Sequence, residues 1–325
     1  MRARSSHGGV VSPRLAAAGI CLRLPASMLT EQKSGSRMGL LDSFRSLLRS
    51  KVNIRNRFEL LREAISGTMS SFYMARDRNT DQIVGLKVLD REKTAFLESR
   101  FQTLNKPCEG EIAMRFSHPR IVRTLEHGIT TDDEQFLVME FLDGPGLNSL
   151  IVSRSGLLDG RRLLLLRQAA EAISVVHQAG FIHRDICPRN FVVSREGDSL
   201  KLIDFGLSVP ATPPFMAPGN RTGTANYMAP EVVRRRSTSQ RLDIFSFGVT
   251  AYELCAFTLP WPKGQGKEAM AHGVEAPMPL VEHRPRINPR LAEAIMACLA
   301  ADPEKRPKSL DEFLRSIKGI KHEDV

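Results

Sequence analysis

The chain has 325 residues, 42% of them apolar and 25% charged. That is enough for a buried core, and the length excludes a small disulfide-stapled scaffold. The net charge of +10 is unevenly placed, because residues 1–57 carry eleven Lys/Arg against two acids and residues 58–325 carry thirty-five against thirty-four. The basicity therefore belongs to an N-terminal arm, and no nucleic-acid partner is expected from it.

Residues 1–37 are rich in Arg, Ser, Gly and Ala without a period and are predicted to be a disordered basic arm. Residues 15–28 are moderately apolar, but Arg23 interrupts them and export is not expected. From residue 38 to 50, Leu40, Leu41, Phe44, Leu47 and Leu48 form one helical stripe. This amphipathic helix, with its linker to residue 56, either packs on the body that follows or lies on a partner or membrane surface. Met38-Gly39 with Ser43 also matches a myristoylation pattern, provided translation starts at Met38.

Residues 58–140 alternate short strand-like runs, clearest at 84–89 and 135–139, with one helical stretch near 94–116. Helical patterns dominate from 145 onward, over 157–178, 243–256, 288–300 and 309–318, with a break starting at Asp302-Pro303. A strand-rich first part and a helical second part predict an α+β protein of two lobes. No apolar run reaches eighteen residues, so no transmembrane helix is predicted. The five cysteines (Cys21, Cys108, Cys187, Cys255 and Cys298) are scattered without a CxxC pair, which fits free thiols in a reducing cytoplasm.

The most informative segment is His183-Arg184-Asp185-Ile186-Cys187-Pro188-Arg189-Asn190. Asp204-Phe205-Gly206 begins nineteen residues after Asp185, and Glu231, closing Ala229-Pro230-Glu231, lies twenty-seven after Asp204. Each triplet alone is unremarkable, but the ordered set at these separations is specific. The residue types suit phosphoryl transfer, which needs positioning and charge neutralisation more than covalent help. Asp185 can orient a hydroxyl and accept its proton, and Asn190 and Asp204 are hard oxygen donors suited to Mg²⁺.

Over about residues 57–318 the chain resembles the protein kinase superfamily, most nearly the eukaryotic-like serine/threonine kinases of bacteria. The resemblance implies a small antiparallel β-sheet lobe with one helix (57–140), a larger helical lobe (141–320) and a short tail (321–325). It implies Mg-ATP, with Mg²⁺ or Mn²⁺, and a protein substrate bearing a Ser or Thr acceptor. Lys87, in Val84-Gly85-Leu86-Lys87, would contact the α- and β-phosphates and pair with a Glu on the following helix. Glu109, nine residues before His118-Pro119, is favoured over Glu111, since the two lie about 200° apart on a helix. Met139 would guard the pocket behind adenine, Glu140-Phe141-Leu142 would offer it backbone groups, and Val192 would form its floor. Gly67 would belong to the phosphate-covering loop. Asp185, Arg184, Lys87 and Asn190 are the implied catalytic set, with Asn190 and Asp204 on the metal. Thr224 would hydrogen-bond Asp185 and exclude a phenol, the helix at 243–248 would brace the catalytic loop, and Arg306 would pair with Glu231.

The chain departs from that pattern in three places. Ile65 and Ser70 stand at two of the three glycine positions of the phosphate loop, while Phe72 and Gly85 replace the valine and alanine usual around adenine. Cys187 replaces the lysine that meets the γ-phosphate, a charged contact worth roughly 1.5–3 kcal/mol. Asn220 occupies the usual phosphorylation position, leaving Thr222, Thr212 and Ser208 as alternatives. These departures leave two readings: an active serine/threonine kinase, or a pseudokinase serving as a nucleotide-binding or scaffold module.

Overall fold

The computed structural model describes residues 51–66, 69–219, 221–261, 272 and 274–325. The arm 1–37, the helix expected at 38–50, Gly67 and Asn220 lie outside the described residues.

Five antiparallel strands form the first layer: β1 (Phe58–Ser66), β2 (Ser70–Asp77), β3 (Gln82–Leu89), β4 (Thr124–Ile129) and β5 (Gln135–Glu140), in the order β1-β2-β3-β5-β4. β3 is central, hence its near-continuous apolar run, and Lys87 is the charged residue in that run. Phe58, Ala75, Val84, Leu86, Phe136 and Val138 cover one face of the sheet, while Leu89, Leu137 and Met139 join the core shared with the second lobe. Residues 51–56, expected to be linker, belong to this layer. Val52 bridges Thr130, and Arg57 closes the turn Ile54–Arg57 onto Asp77 (2.9 Å) and Glu126 (2.8 Å).

The one helix expected near 94–116 is two. α1 (Arg91–Ser99) is capped by Asp90, and α2 (Glu109–Ala113) follows a 3₁₀ turn. The break has a local cause: Asn105 takes the left-handed conformation (φ 48°), and Pro107 lacks an N–H and disfavours helix at the residue before it.

The second lobe contains α3 (Leu147–Val152), α4 (Arg162–Gln178), α5 (Arg241–Ala256), α6 (Pro289–Cys298) and α7 (Leu310–Ser316). Thirteen of the sixteen residues of α5 are buried, as expected of a helix apolar on every side at the centre of a lobe. Two small ribbons, β6 (Phe181–Ile182) with β9 (Val209–Pro210) and β7 (Phe191–Val193) with β8 (Leu200–Leu202), frame residues 183–190 and 203–208. Residues 321–325, expected as a tail, are instead docked. Glu323 is buried and accepts from Arg162 (2.9 Å), Arg284 (2.9 Å) and the Leu163 N–H (3.1 Å), while Asp324 accepts two bonds of 2.7 Å from Arg284.

Candidate active site

The chemistry-bearing residues meet where the sheet faces the two ribbons. The β7–β8 hairpin brings Asn190 and Asp204 together. Asn190 immediately precedes β7, Ile203 immediately follows β8, and the Ile203 N–H donates to the Asn190 carbonyl (2.9 Å). The loop before β7 is held from below by α5, where the Asp243 carboxylate accepts from the His183 and Arg184 N–H groups and from His177, each at 2.8 Å. Arg184 and Asp204 both have positive φ, 69° and 67°. Such strain persists only where the surroundings over-determine it, as the Asp243 carboxylate does at Arg184 and Lys87 does at Asp204.

Asp185 is gripped on both oxygens. Thr224 donates its N–H and its hydroxyl to Oδ1 (2.8 Å each), and the Asn190 amide donates to Oδ2 (3.0 Å) and to the Asp185 carbonyl (2.7 Å). Thr224 reaches this position because Gly223 takes φ 123° beside the Arg184 carbonyl, where a Cβ would come within 2.7 Å.

Across the cleft, Lys87 donates to Glu109 (2.7 Å) and to Asp204 (2.9 Å), so one ammonium joins β3, α2 and the loop after β8. Burial pulls the Lys87 pKa down, but Asp204 and Glu109 together outweigh it and hold the group above its ordinary range. Burial also opposes charge on Asp204, yet Lys87 and the Gly206 N–H bring it to about 2. In Glu109 burial dominates and raises the pKa, with Lys87 acting against it. The choice between the two glutamates is settled by geometry: Glu111 turns back and accepts from the Cys108 N–H (2.9 Å), capping α2.

Met139 is buried at the end of β5, Val192 is half-buried on β7, and Leu142 packs on the core. The Glu140 N–H is committed to the Arg123 carbonyl (2.9 Å), whereas the Leu142 N–H has no acceptor among the described residues. Sequence alone missed that the Glu140 side chain accepts from Lys201 and from the Arg123 N–H (2.8 Å), fastening this connection to β8; no local pattern signals that pair. The Phe72 and Gly85 substitutions are one feature. A Cβ on Gly85 would lie 2.8 Å from Phe72 Cζ and 3.0 Å from Met139 Cγ, so the missing methyl makes room for the ring. β1 continues through Ile65, which pairs with Phe72, and Ser70 pairs with Leu89.

Cys187 is fully buried, with Thr224 Oγ1 3.8 Å from its sulfur. Burial first, and then the Asp185 charge, push its thiol up to about 12, which makes a redox-reactive thiolate untenable. Glu231 and Arg306 form the expected pair, two bonds of 2.8 Å, both buried.

For a divalent metal, Asn190 Oδ1 and the second Asp204 oxygen accept no hydrogen bond among the described residues, and the Asp204 side chain is 42% exposed. No cluster of three or more His, Cys, Asp or Glu able to hold a metal lies among the described residues. One carboxylate and one amide oxygen fit an ion that completes its shell with water and phosphate oxygens, the habit of Mg²⁺.

A five-stranded sheet over a helical lobe, with a Lys–Glu–Asp bridge between them, defines a two-lobed phosphotransferase architecture. The family model for the protein kinase domain matches residues 58–316, and the chain belongs to that family. It is similar to serine/threonine-protein kinase pkn3 of Myxococcus xanthus, 32% identical over 273 residues, covering 79% of this chain and 48% of that protein. It is likewise similar to pkn2 of the same organism, at 31% identity over 80% of this chain and 32% of that protein. Serine/threonine-protein kinase PknA of Mycobacterium tuberculosis is 30% identical over 83% of this chain and 62% of that protein. The chain thus spans about half the length, or less, of the two Myxococcus relatives.

Proposed function

We propose that the chain is a serine/threonine protein kinase that uses Mg-ATP. The observation carrying this reading is the Lys87 bridge to both Glu109 and Asp204, standing opposite an Asp185 already oriented by Thr224 and Asn190. Lys87 would hold the α- and β-phosphates, with Glu109 fixing its ammonium. Leu142 would donate its free N–H to adenine, Glu140 would accept from it, and Met139 and Val192 would bound it. Gly67 belongs to the covering loop in this reading. The metal held by Asn190 and Asp204 would supply neutralisation of the phosphate charge. Asp185 orients the acceptor hydroxyl and takes its proton as the oxygen bonds the γ-phosphorus and the bond to the β–γ bridging oxygen breaks. Thr224, pressed on Asp185, leaves room for a Ser or Thr hydroxyl and not for a phenol. Arg184, lining one cavity with Asp185 and Thr224, would complete the catalytic set.

The catalytic unit in this reading is 57–320 with its flanks. Among the described residues no helix is long and apolar enough to cross a membrane, and the four described cysteines are free thiols; the thiols favour a cytoplasmic site of action in this reading. The pseudokinase reading finds no support, since Lys87, Asp185, Asn190 and Asp204 are all present, with Lys87 joined to Asp204 and Asn190 to Asp185.

The test is transfer of labelled γ-phosphate by the full chain to a generic basic protein, with Asp185→Asn as control. Transfer lost in the control, with the fold intact, is expected. Thermal shift by ATP adds a second readout. The shift should need Mg²⁺ or Mn²⁺, and Asp204→Ala should abolish its metal-dependent part. Equal stabilisation in EDTA would overturn the metal assignment.

A further inference from the structure

Every residue from Phe181 to Asn190 is buried or half-buried except Arg189, which is exposed. The Arg189 side chain makes no hydrogen bond or ion pair among the described residues. Its direction follows from the 3₁₀ turn Pro188–Asn190, in which successive side chains lie about 120° apart. Asn190 turns inward and binds Asp185, so Arg189 before it is left pointing out.

This cation stands near the acceptor site. Tyr227 lines one cavity with Asp185 and Thr224. Burial, then the Glu253 carboxylate, raise the Tyr227 pKa, and the Arg189 charge pulls it the other way, which puts that charge within electrostatic reach of the cavity. Glu253 is itself half-buried and accepts from the Tyr227 hydroxyl.

The chain that follows carries the same sign. Residues 205–242 hold five arginines against one acid, Glu231. Glu231 is buried on Arg306, and Arg241 is paired with Glu304. The other four arginines are exposed. A peptide approaching Asp185 therefore meets an excess of positive charge, and Arg189 is the member of it four residues from Asp185 itself. The planar fork of arginine binds a carboxylate with two parallel hydrogen bonds, and a docked peptide shields that pair from water. A cation brought to the same place is repelled.

We propose that Arg189 selects acidic substrates, pairing with an Asp or Glu near the acceptor Ser or Thr and disfavouring Lys or Arg there. This names the substrate class of the serine/threonine kinase reading and rests on it. The generic basic protein used above reports transfer itself, away from the preferred sequence. The experiment uses the full chain and fluorescent peptides with one acceptor serine. At successive offsets on either side of it they carry Asp, Ala or Arg in otherwise identical triplets. Binding is read by anisotropy without nucleotide, and transfer by labelled γ-phosphate. At one offset or more the Asp peptide should exceed its Arg twin about tenfold in affinity and in kcat/KM, with the gain coming through KM. Raising the salt concentration should shrink that preference. Arg189→Gln should draw the three peptides of the triplet together and leave kcat for the Ala peptide unchanged. Arg189→Glu should reverse the order in favour of Arg, an outcome that a merely structural role cannot produce. Equal values within every triplet, or an acid preference that survives Arg189→Glu, overturn the proposal. A kcat lowered equally for all three peptides by Arg189→Gln assigns the residue to the transferring phosphate and overturns it as well. A chain that binds Asp peptides through Arg189 yet transfers nothing keeps the specificity and sinks the kinase reading. One that transfers equally to all three peptides keeps the kinase reading and sinks the specificity, and neither binding nor transfer sinks both.

Discussion

At Cys187 a thiol sits where a charged contact to the transferring group would help. The position is enclosed by Asp185 and Thr224, so a lysine there gains a carboxylate neighbour as well as a path to the γ-phosphate. Cys187→Lys should raise kcat by roughly three- to thirtyfold with little change in KM, because the contact strengthens as charge develops. Steady-state kinetics on a generic basic protein decide it; an unchanged or lower kcat with an intact fold means Cys187 does not limit the rate. Gly85 makes a second prediction. Gly85→Ala drives a methyl into Phe72 and Met139 and should cost about 1–3 kcal/mol in chemical denaturation. Phe72→Val in the same chain should recover most of it; additive losses would disprove the coupling. The ion bridge sets a pH window. Asp204 falls from an ordinary 3.8 to about 2, so its contribution is complete above 3.8 and lost as pH drops toward about 2. Lys87 is shifted upward, so its contribution is complete below its ordinary 10.5 and lost only above that. The stability of the ligand-free chain should therefore keep the Asp204 contribution down to about pH 4 and lose it below that. A midpoint near pH 6 would show that another group controls it.

Among the elements, α5 carries the largest structural duty for the site. Its Asp243 satisfies two backbone N–H groups of the strained loop that presents Arg184 and Asp185. In Asp243→Asn one of those acceptors becomes a donor, leaving a buried N–H facing another, at a cost of about 1–3 kcal/mol. The loss should appear as a lower unfolding temperature and a lower kcat, with the nucleotide affinity nearly unchanged because Lys87 and Asp204 are untouched. A fall in affinity alone, with kcat preserved, would contradict the bracing role. The break between α1 and α2 has a matching consequence: it lets Glu109 begin a new helix and point at Lys87 while Glu111 caps that helix.

On the scale of the whole molecule, the last residues close the second lobe. Glu323 lies between Arg162, 4% exposed, and Arg284, and receives a backbone bond as well. Removing the Glu323 carboxylate leaves Asp159 on Arg162 and Asp324 on Arg284, so the loss is that of charged hydrogen bonds, about 1.5–3 kcal/mol. Glu323→Gln should lower stability to denaturant by that order. A loss within experimental error would mean that water replaces the carboxylate.

Much of the site was legible because its spacing is local. The segment from His183 to Asn190, the Asp204 triplet, the Ala229-Pro230-Glu231 turn and the Lys87 strand each carry their meaning within a few residues, and their order suffices to bring them together in one fold. The strand-rich and helix-rich halves were legible for the same reason, since periodicity is a short-range property. Other features depended on which surfaces meet. The room that Gly85 leaves for Phe72 and the docking of Glu323 each join residues far apart in the chain, and no periodicity encodes such a pairing. The sequence by itself determined the family and the division into a strand-rich and a helix-rich part, because these follow from residue type and spacing. The tertiary structure alone decided which charges are paired and which are left waiting, because pairing and burial are properties of packed surfaces.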